Sequence, residues 1–410
     1  MATNYDDAWL YNGCRTGFGE LNGTISTLSA TDLGIAVLKA LLTQGQVAAE
    51  DVDCLFAANL APSDFDAGYL PRHIGLYAGL PKHAPALMLQ RLCGSGFELI
   101  AHAADYRQLK KAEVMACVGS ESMSRMPVCS FTSRNGFKLG QVDFRDYLME
   151  LLYDAAADIP MGCTAENLAK QYNLSREEVD EFAYLSFERA LAAQKSGVLG
   201  DEIITLTNQT FECETLKTKR LKLPRGVESF NTDEHVRPTS RETLAKLRPS
   251  FQKDGVQTGG NSSGIVDGAA AAFVGSMAYA ERRGIKPLAK IRSSAAAAVD
   301  PHVMGIGPVP AILDMLNSNG LSIADIGLFE INEAFSAQCL AVAKELDISL
   351  EKLNVNGGAT AYGHPLAATG VRCTTTLAKE MKRRGIKYGI ASACVGGGQG
   401  SALLLENPEV

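Results

Sequence analysis

Ala116-Cys117-Val118-Gly119 returns letter for letter as Ala393-Cys394-Val395-Gly396, and Leu55-Phe56-x-x-Asn59 returns as Leu328-Phe329-x-x-Asn332. Similar intervals separate the two motifs in each half, so chance is a poor explanation and the chain reads as a duplication. In the first copy, helical spacing of Leu33, Val37 and Leu41, capped by Thr31 or Asp32, predicts a helix over 31–42. A buried strand over 51–57, a short apolar run over 86–89, a turn at Cys93 opening a helix over 97–109, and a strand over 114–118 follow. The second copy predicts a helix over 309–316, a strand over 326–331, a glycine-rich turn over 354–363, a helix over 366–384 and a strand over 388–393. Strands alternating with helices predict α/β layers with mostly parallel sheets. Duplication predicts two such layers related by a pseudo-twofold.

Between Ser124 and Gln257 the pattern breaks. A Pro/Met/Ser-rich loop precedes helices over 164–172 and 176–196. The second opens with the capping box Ser175-x-x-Glu178 and has apolar spacing at Val179, Phe182, Ala183 and Ala190. This section reads as an excursion from the first half that covers the site, with 258–276 returning as a strand.

Composition narrows the function. A chain of 410 residues, 46% hydrophobic, has ample core for two or three domains. Its net charge of −7 argues against a nucleic-acid binder. The acidic Met-Ala-Thr-Asn-Tyr-Asp-Asp start lacks a basic-then-apolar pattern, and the apolar run over 269–274 is far too short for a membrane span, so a cytoplasmic protein is expected. Ten cysteines are scattered without a Cys-x-x-Cys pair, which speaks for reduced thiols and against a structural zinc. Residues 217–253 carry ten Lys/Arg against four acids. That segment is either a solvated face or a docking surface for an anionic ligand.

In open α/β sheets, sites gather at the carboxyl ends of strands. Cys93, Asn332, His364 and Cys394 each follow a predicted strand. Cys93 lies in Leu92-Cys93-Gly94-Ser95-Gly96, where a helix N-terminus would stabilise its thiolate. Alone, that motif more often marks a buried structural cysteine. His364 ends a run of small residues from Asn356 and is fixed by Pro365. Cys394-Val395-Gly396-Gly397-Gly398 offers a second thiol and bare backbone. Asn332 supplies an amide for a water or a carbonyl. A thiol, a base, an amide and a second acid/base group suit acyl transfer through a thioester.

Seven motifs in order resemble the thiolases, the acyl-CoA acetyltransferases, over essentially the full length: Leu92-Cys93-Gly94-Ser95-Gly96, Met161-Gly162-Cys163-Thr164-Ala165-Glu166-Asn167, 258–268, Gly307-Pro308-Val309-Pro310-Ala311, Asn332-Glu333-Ala334-Phe335, Gly363-His364-Pro365 and 394–400. The resemblance implies a five-layer αβαβα thiolase fold. It places one α/β half at 1–123 plus 258–285, an inserted loop domain binding coenzyme A at 124–257, and a second half at 286–410. It makes Cys93 the acyl-carrying nucleophile and His364 the base. His364 and a water on Asn332 would form one oxyanion hole, and the N–H groups of Cys93 and Gly396 the other. Cys394 would move the α-carbon proton. Met161, Arg237, Thr243, Phe251, Gly259, Ser263, Ala334 and Phe335 would line coenzyme A, which is a substrate, with no further cofactor and no metal. Arg237 thereby favours the docking reading of the basic segment, and Glu121 and Met123 fall near the site as structure. A homodimer or homotetramer is expected, pairing through a sheet edge over 80–89, with a β-oxidation complex as a further partner.

Some positions depart from the family pattern. Gly17 replaces a usual Pro, Thr243 a usual Ser, and Ala367 a frequent Gly beside His364, as in degradative members. Pro160 stands where short-chain biosynthetic tetramers often have His. The loop over 127–140 nevertheless resembles in length their tetramer-forming loop. The expected activity is reversible 3-ketoacyl-CoA thiolysis including acetoacetyl-CoA. The alternatives are a strictly short-chain acetyl-CoA C-acetyltransferase and a non-catalytic acyl-CoA-binding subunit. A condensing ketoacyl synthase is disfavoured by the Cys394 motif.

Overall fold

The computed structural model describes all 410 residues, Met1–Val410. The first half runs β1 (Trp9–Thr16), α1 (Ala30–Thr43), β2 (Cys54–Ala58), α2 (Leu70–Ala78), β3 (Ala86–Met88), α3 (Ser95–Gln108) and β4 (Val114–Glu121). Next come α4 (Met161–Gln171), α5 (Arg176–Ser196) and α6 (Arg241–Ala245), with several two-stranded pieces, before β5 (Val266–Gly275). The second half runs β6 (Ala289–Ala298), α7 (Pro308–Asn319), β7 (Leu328–Ile331), α8 (Ser336–Glu345), α9 (Leu366–Arg384), β8 (Tyr388–Val395) and β9 (Gln399–Glu406).

Strand order confirms the duplication. One half reads β3-β2-β4-β5-β1 and the other β7-β8-β9-β6, joined where Trp9 and Leu10 pair with Lys290 and Ala289. The sheets are mixed, however, and not mostly parallel. Among these strands only β3-β2-β4 and β7-β8 run parallel; β5 and β9 are antiparallel to both of their neighbours. The tight turn after Val395 joins β8 to β9 as a hairpin, which a parallel pair could not accommodate.

The two motif matches are not both structural equivalences. Leu55 stands beside Ala116, but Leu328 stands beside Gly389, four residues short of Ala393. This offset matters for chemistry. At the end of β2, Asn59 donates from Nδ2 to the Ser120 carbonyl (3.0 Å) and to Glu121 (2.8 Å). At the end of β7, Asn332 has no such partners.

Alternation of side chains builds five layers. Ala270, Ala272 and Val274 of β5 pack inward with Phe97, Leu99 and Val371, while Ala269, Ala271 and Phe273 pack outward with Leu33, Val37 and Ile74. In β9, Leu403 and Leu405 face inward and Leu404 faces Ile312 and Met315 of α7. Each such leucine contributes about 1.5–3 kcal/mol on burial. Helices α3 and α9 form the middle layer and meet backbone to backbone. A Cβ on Gly96 would lie 2.6 Å from the Val371 nitrogen.

Local signals differ from expectation in two places. Ser29, not Thr31 or Asp32, caps α1, because its hydroxyl and the Asp32 carboxylate close a reciprocal box. Residues 258–265 form a turn instead of strand, since Asn261 Oδ1 accepts the Thr258 N–H at 2.7 Å. The excursion also binds both halves. Ile203–Ile204 extends β1, buried Arg15 pairs with Glu202 (2.8 Å) and Asp233 (2.6 Å), and Arg189 of α5 donates to the Leu350 and Leu353 carbonyls. Removing one partner of such a buried pair costs about 3–5 kcal/mol.

Candidate active site

Cys93 stands two residues ahead of α3, and His364 two residues ahead of α9. The Gly96–Gly370 crossing brings these two helix starts together. Leu92 takes a left-handed φ of 43°, a strained conformation for a leucine. Ser95 Oγ holds it there, accepting the Arg91 N–H (2.8 Å) and donating to the Leu92 carbonyl (2.7 Å). Arg91 reaches Glu98 (2.7 Å) and Gln399 (3.1 Å), tying this turn to the β8–β9 hairpin. A Cβ on Gly94 would lie 2.8 Å from Val395 Cγ2, so the turn rests on the end of β8.

The backbone N–H groups of Gly396 and of Cys93 itself face the Cys93 sulfur. Burial nevertheless pushes the thiol up to about 11, and those N–H groups offset it only in part. Burial thus opposes the stabilisation that the helix start and the two N–H groups give the thiolate.

His364 stands at the start of α9 with one ring nitrogen engaged and the other free. Its N–H donates to the Gly264 carbonyl (2.9 Å), and Nδ1 lies 2.6 Å from Thr369 Oγ1. Thr369 Oγ1 is also 3.2 Å from the Pro365 carbonyl. With the hydroxyl donating to that carbonyl, Nδ1–H donates to Thr369 and Nε2 keeps its lone pair, a tautomer inferred from this network. Nε2 is buried without a protein partner. Burial, reinforced by the Arg372 charge, pushes the imidazole down to about 3, so it is neutral.

Asn332 is fully buried with both amide atoms unpartnered, and its N–H donates to the Ser392 carbonyl at 2.9 Å. Cys394 is fully buried on β8. Burial pushes its thiol up, and the nearness of Cys93 adds to the shift. It packs with Ala165, Met304, Ala334 and Phe335, against half-buried Met161 and Phe251.

That cluster gathers four of the proposed coenzyme A contacts: Met161, Phe251, Ala334 and Phe335. The Phe251 and Phe335 rings meet edge to face at 5.8 Å. Ser263 joins through its N–H to the Ala334 carbonyl (3.1 Å), and Gly259 is exposed with open space beyond it. Arg237 and Thr243 lie on the surface instead. Arg237 is 3.4 Å from Glu20 and sits over the Phe187 ring, and Thr243 lies 3.1 Å from Ser240 Oγ at the start of α6. In the basic segment Lys219 pairs with Asp66 and Arg241 with Glu181, whereas Lys246, Arg248 and Lys253 are exposed. A surface cavity of 680 Å³ between α5 and α8 is lined by neither Cys93 nor Cys394.

The family profile for the thiolase N-terminal domain matches residues 10–278, and that for the C-terminal domain matches 285–407. The chain belongs to the thiolase family. It is 45% identical over 395 residues to the mitochondrial 3-ketoacyl-CoA thiolase of Pongo abelii, spanning 96% of each chain. It is 42% identical over 398 residues to an acetyl-CoA acetyltransferase of Rhizobium meliloti (strain 1021), spanning 96% of this chain and 97% of that one. The crystal structure of human mitochondrial 3-ketoacyl-CoA thiolase in complex with CoA superposes with a TM-score of 0.90, at 43% identity and 99% coverage of both chains.

Two buried carboxylates in this thiolase have their site roles only in three dimensions. Glu121 accepts from Leu60 N–H (3.2 Å), Ala61 N–H (3.4 Å) and Ala367 N–H (3.2 Å), so it grips the start of α9; burial raises it to about 8. Glu166 accepts the Val256 and Gln257 N–H groups, each at 2.9 Å, and anchors the turn that leads to Gly259 and Ser263. Position inside a dense motif was the only sequence signal for either. The Ala367 methyl joins the middle core.

His364 sets a pH dependence of stability. Its ordinary value of 6.5 falls to about 3 on folding, so between these the unfolded chain binds the extra proton. Stability should be fully present above about pH 6.5 and be lost progressively towards pH 3, at up to about 1.4 kcal/mol per pH unit. Urea melts across that window should show a shallower slope in His364→Gln. Equal slopes would mean that the imidazole is not held neutral.

Proposed function

We propose that this thiolase catalyses reversible, CoA-dependent cleavage of 3-ketoacyl-CoA to acetyl-CoA and a shortened acyl-CoA through an acyl-Cys93 intermediate. The observation that carries the reading is the crossing of the two helices at Gly96 and Gly370, which gathers the starts that follow Cys93 and His364, with His364 Nε2 left without a protein partner and the Cys394 thiol near Cys93. In the cleavage direction His364 Nε2 takes the Cys93 proton as sulfur attacks the 3-keto carbon. The N–H groups of Cys93 and Gly396 hold the oxyanion. The bond between carbons 2 and 3 then breaks towards carbon 2, leaving the enolate of acetyl-CoA. The newly protonated Nε2 and a water on Asn332 hold the enolate oxygen, and the Cys394 thiol gives carbon 2 its proton. Incoming coenzyme A attacks acyl-Cys93 and passes its thiol proton to the Cys394 thiolate, while His364 returns its proton to Cys93. Every group ends as it began.

In this reading residues 124–257 form the lid over coenzyme A, between one half at 1–123 with 258–285 and another at 286–410. Arg237, Thr243 and the exposed Lys246, Arg248 and Lys253 lie on its outer part, where a nucleotide phosphate would be met. The human relative's CoA complex supports coenzyme A as the ligand. The open edge of β3, where Leu87 is exposed, suits pairing with a second copy across a twofold, in a homodimer or homotetramer. No helix is long and apolar enough to cross a membrane. Ten free thiols suit a reducing compartment, the cytoplasm in this reading. A β-oxidation complex partner would fit the same role.

A ladder of 3-ketoacyl-CoA substrates, from acetoacetyl to long chain, tests the proposal. Cleavage extending beyond acetoacetyl-CoA is expected. Activity confined to acetoacetyl-CoA would make the protein a short-chain acetyltransferase. No cleavage of any substrate would leave an acyl-CoA-binding subunit.

A further inference from the structure

The loop over 354–360 delivers His364, and it is folded around one buried carboxylate. Glu333, 1% exposed, accepts from Asn354 Nδ2 at 2.7 Å on Oε1. On Oε2 it accepts from the Ser186 hydroxyl (2.7 Å) and the Thr360 N–H (3.0 Å). Ser186 Oγ in turn accepts the Gly358 N–H at 3.0 Å. A Cβ on Gly358 would collide with the Glu333 carboxyl, so the loop backbone closes directly on that group. Gly357, at φ 88°, lies against the Ser186 carbonyl and Ala190 of α5.

These contacts reach both arms of the enolate pocket. Glu333 follows Asn332 in the chain, so anchoring its side chain fixes the peptide that presents the unpartnered Asn332 amide. Thr360 precedes His364 by four residues, across the short helix Ala359–Tyr362, which the Tyr362 hydroxyl pins by donating to the Asn356 carbonyl. Only an acceptor on every side satisfies these donors. Two carboxylate oxygens provide that and an amide does not.

We propose that Glu333, with Ser186 of the inserted segment, is a positioning residue that sets Asn332 and His364 in register for the developing enolate. It touches neither sulfur nor substrate, and the inference rests on the thiolase reading above. Glu333→Gln would turn an N–H towards one of its present donors and release that end of the loop. Misplacing an oxyanion pocket by about 1 Å costs on the order of 100-fold in rate. The kcat for acetoacetyl-CoA thiolysis should therefore fall about 100-fold in Glu333→Gln, and about 10-fold in Ser186→Ala, which removes only one arm of the clamp.

The KM for the acyl-CoA should stay within about twofold, because Met161, Phe251 and Ser263 are untouched. The rate of Cys93 alkylation by iodoacetamide near neutral pH should fall in step with kcat, since the base is displaced. Wild-type kcat in folded Glu333→Gln, or a loss that only tracks the fraction unfolded at the assay temperature, would overturn the proposal. If Glu333→Gln does not fold, an unchanged kcat in Ser186→Ala would do so. An inactive wild-type protein would instead refute the thiolase reading itself, so the two failures are distinguishable.

Discussion

Replacing Cys93 by Ala is expected to lower 3-ketoacyl-CoA thiolysis by at least about 10⁴-fold, with the fold and coenzyme A binding retained. The side chain is half-buried at the start of α3, and alanine keeps the turn's backbone, so Ser95 and Arg91 can hold the loop as before. What disappears is the only sulfur that both backbone N–H groups face. Without it, coenzyme A would have to attack the 3-keto carbon directly, with no acyl carrier. Intact protein incubated with acyl-CoA should gain the mass of the acyl group, and the variant should gain none. Acylation of Cys93→Ala at an unchanged rate would assign the nucleophile elsewhere.

Replacing Cys394 by Ala should separate the two chemical steps. Loss of the proton donor for carbon 2 should lower thiolysis by about 10³-fold, within the range of a lost general acid. The acyl acceptor remains, so the variant should still take an acetyl group from acetyl-CoA, more slowly than wild type, as mass spectrometry would show. The void left by one sulfur beside Met304 and Ala165 should cost only about 1–2 kcal/mol of stability. A Cys394→Ala protein with wild-type thiolysis would remove the residue from the mechanism. One that takes up no acetyl group would show that Cys394 also serves the first step.

The duplication was legible in a repeated tetrapeptide and in strands alternating with helices, the five layers followed from the family resemblance, and Cys93, Asn332, His364 and Cys394 stood out as motifs that follow strands. What was not legible depends on contacts across the chain. Strand direction followed from a hairpin turn that strand patterning does not encode. The helix N-terminus beside Cys93 is visible in sequence, whereas the desolvation that raises its thiol belongs to the packed site. Asn59 and Asn332 end matching sequence motifs, and only the folded chain shows that one is engaged by Glu121 while the other has no protein partner. Glu333 was quoted within a motif, yet its partners Ser186 and Thr360 lie far along the chain.

Cys93 and His364 hold the same place in the two halves, each two residues ahead of a middle-layer helix. At these two helix starts a symmetric pair of identical half-length chains would present the same residue twice, two thiols or two imidazoles, whereas a single chain carrying both copies presents one of each.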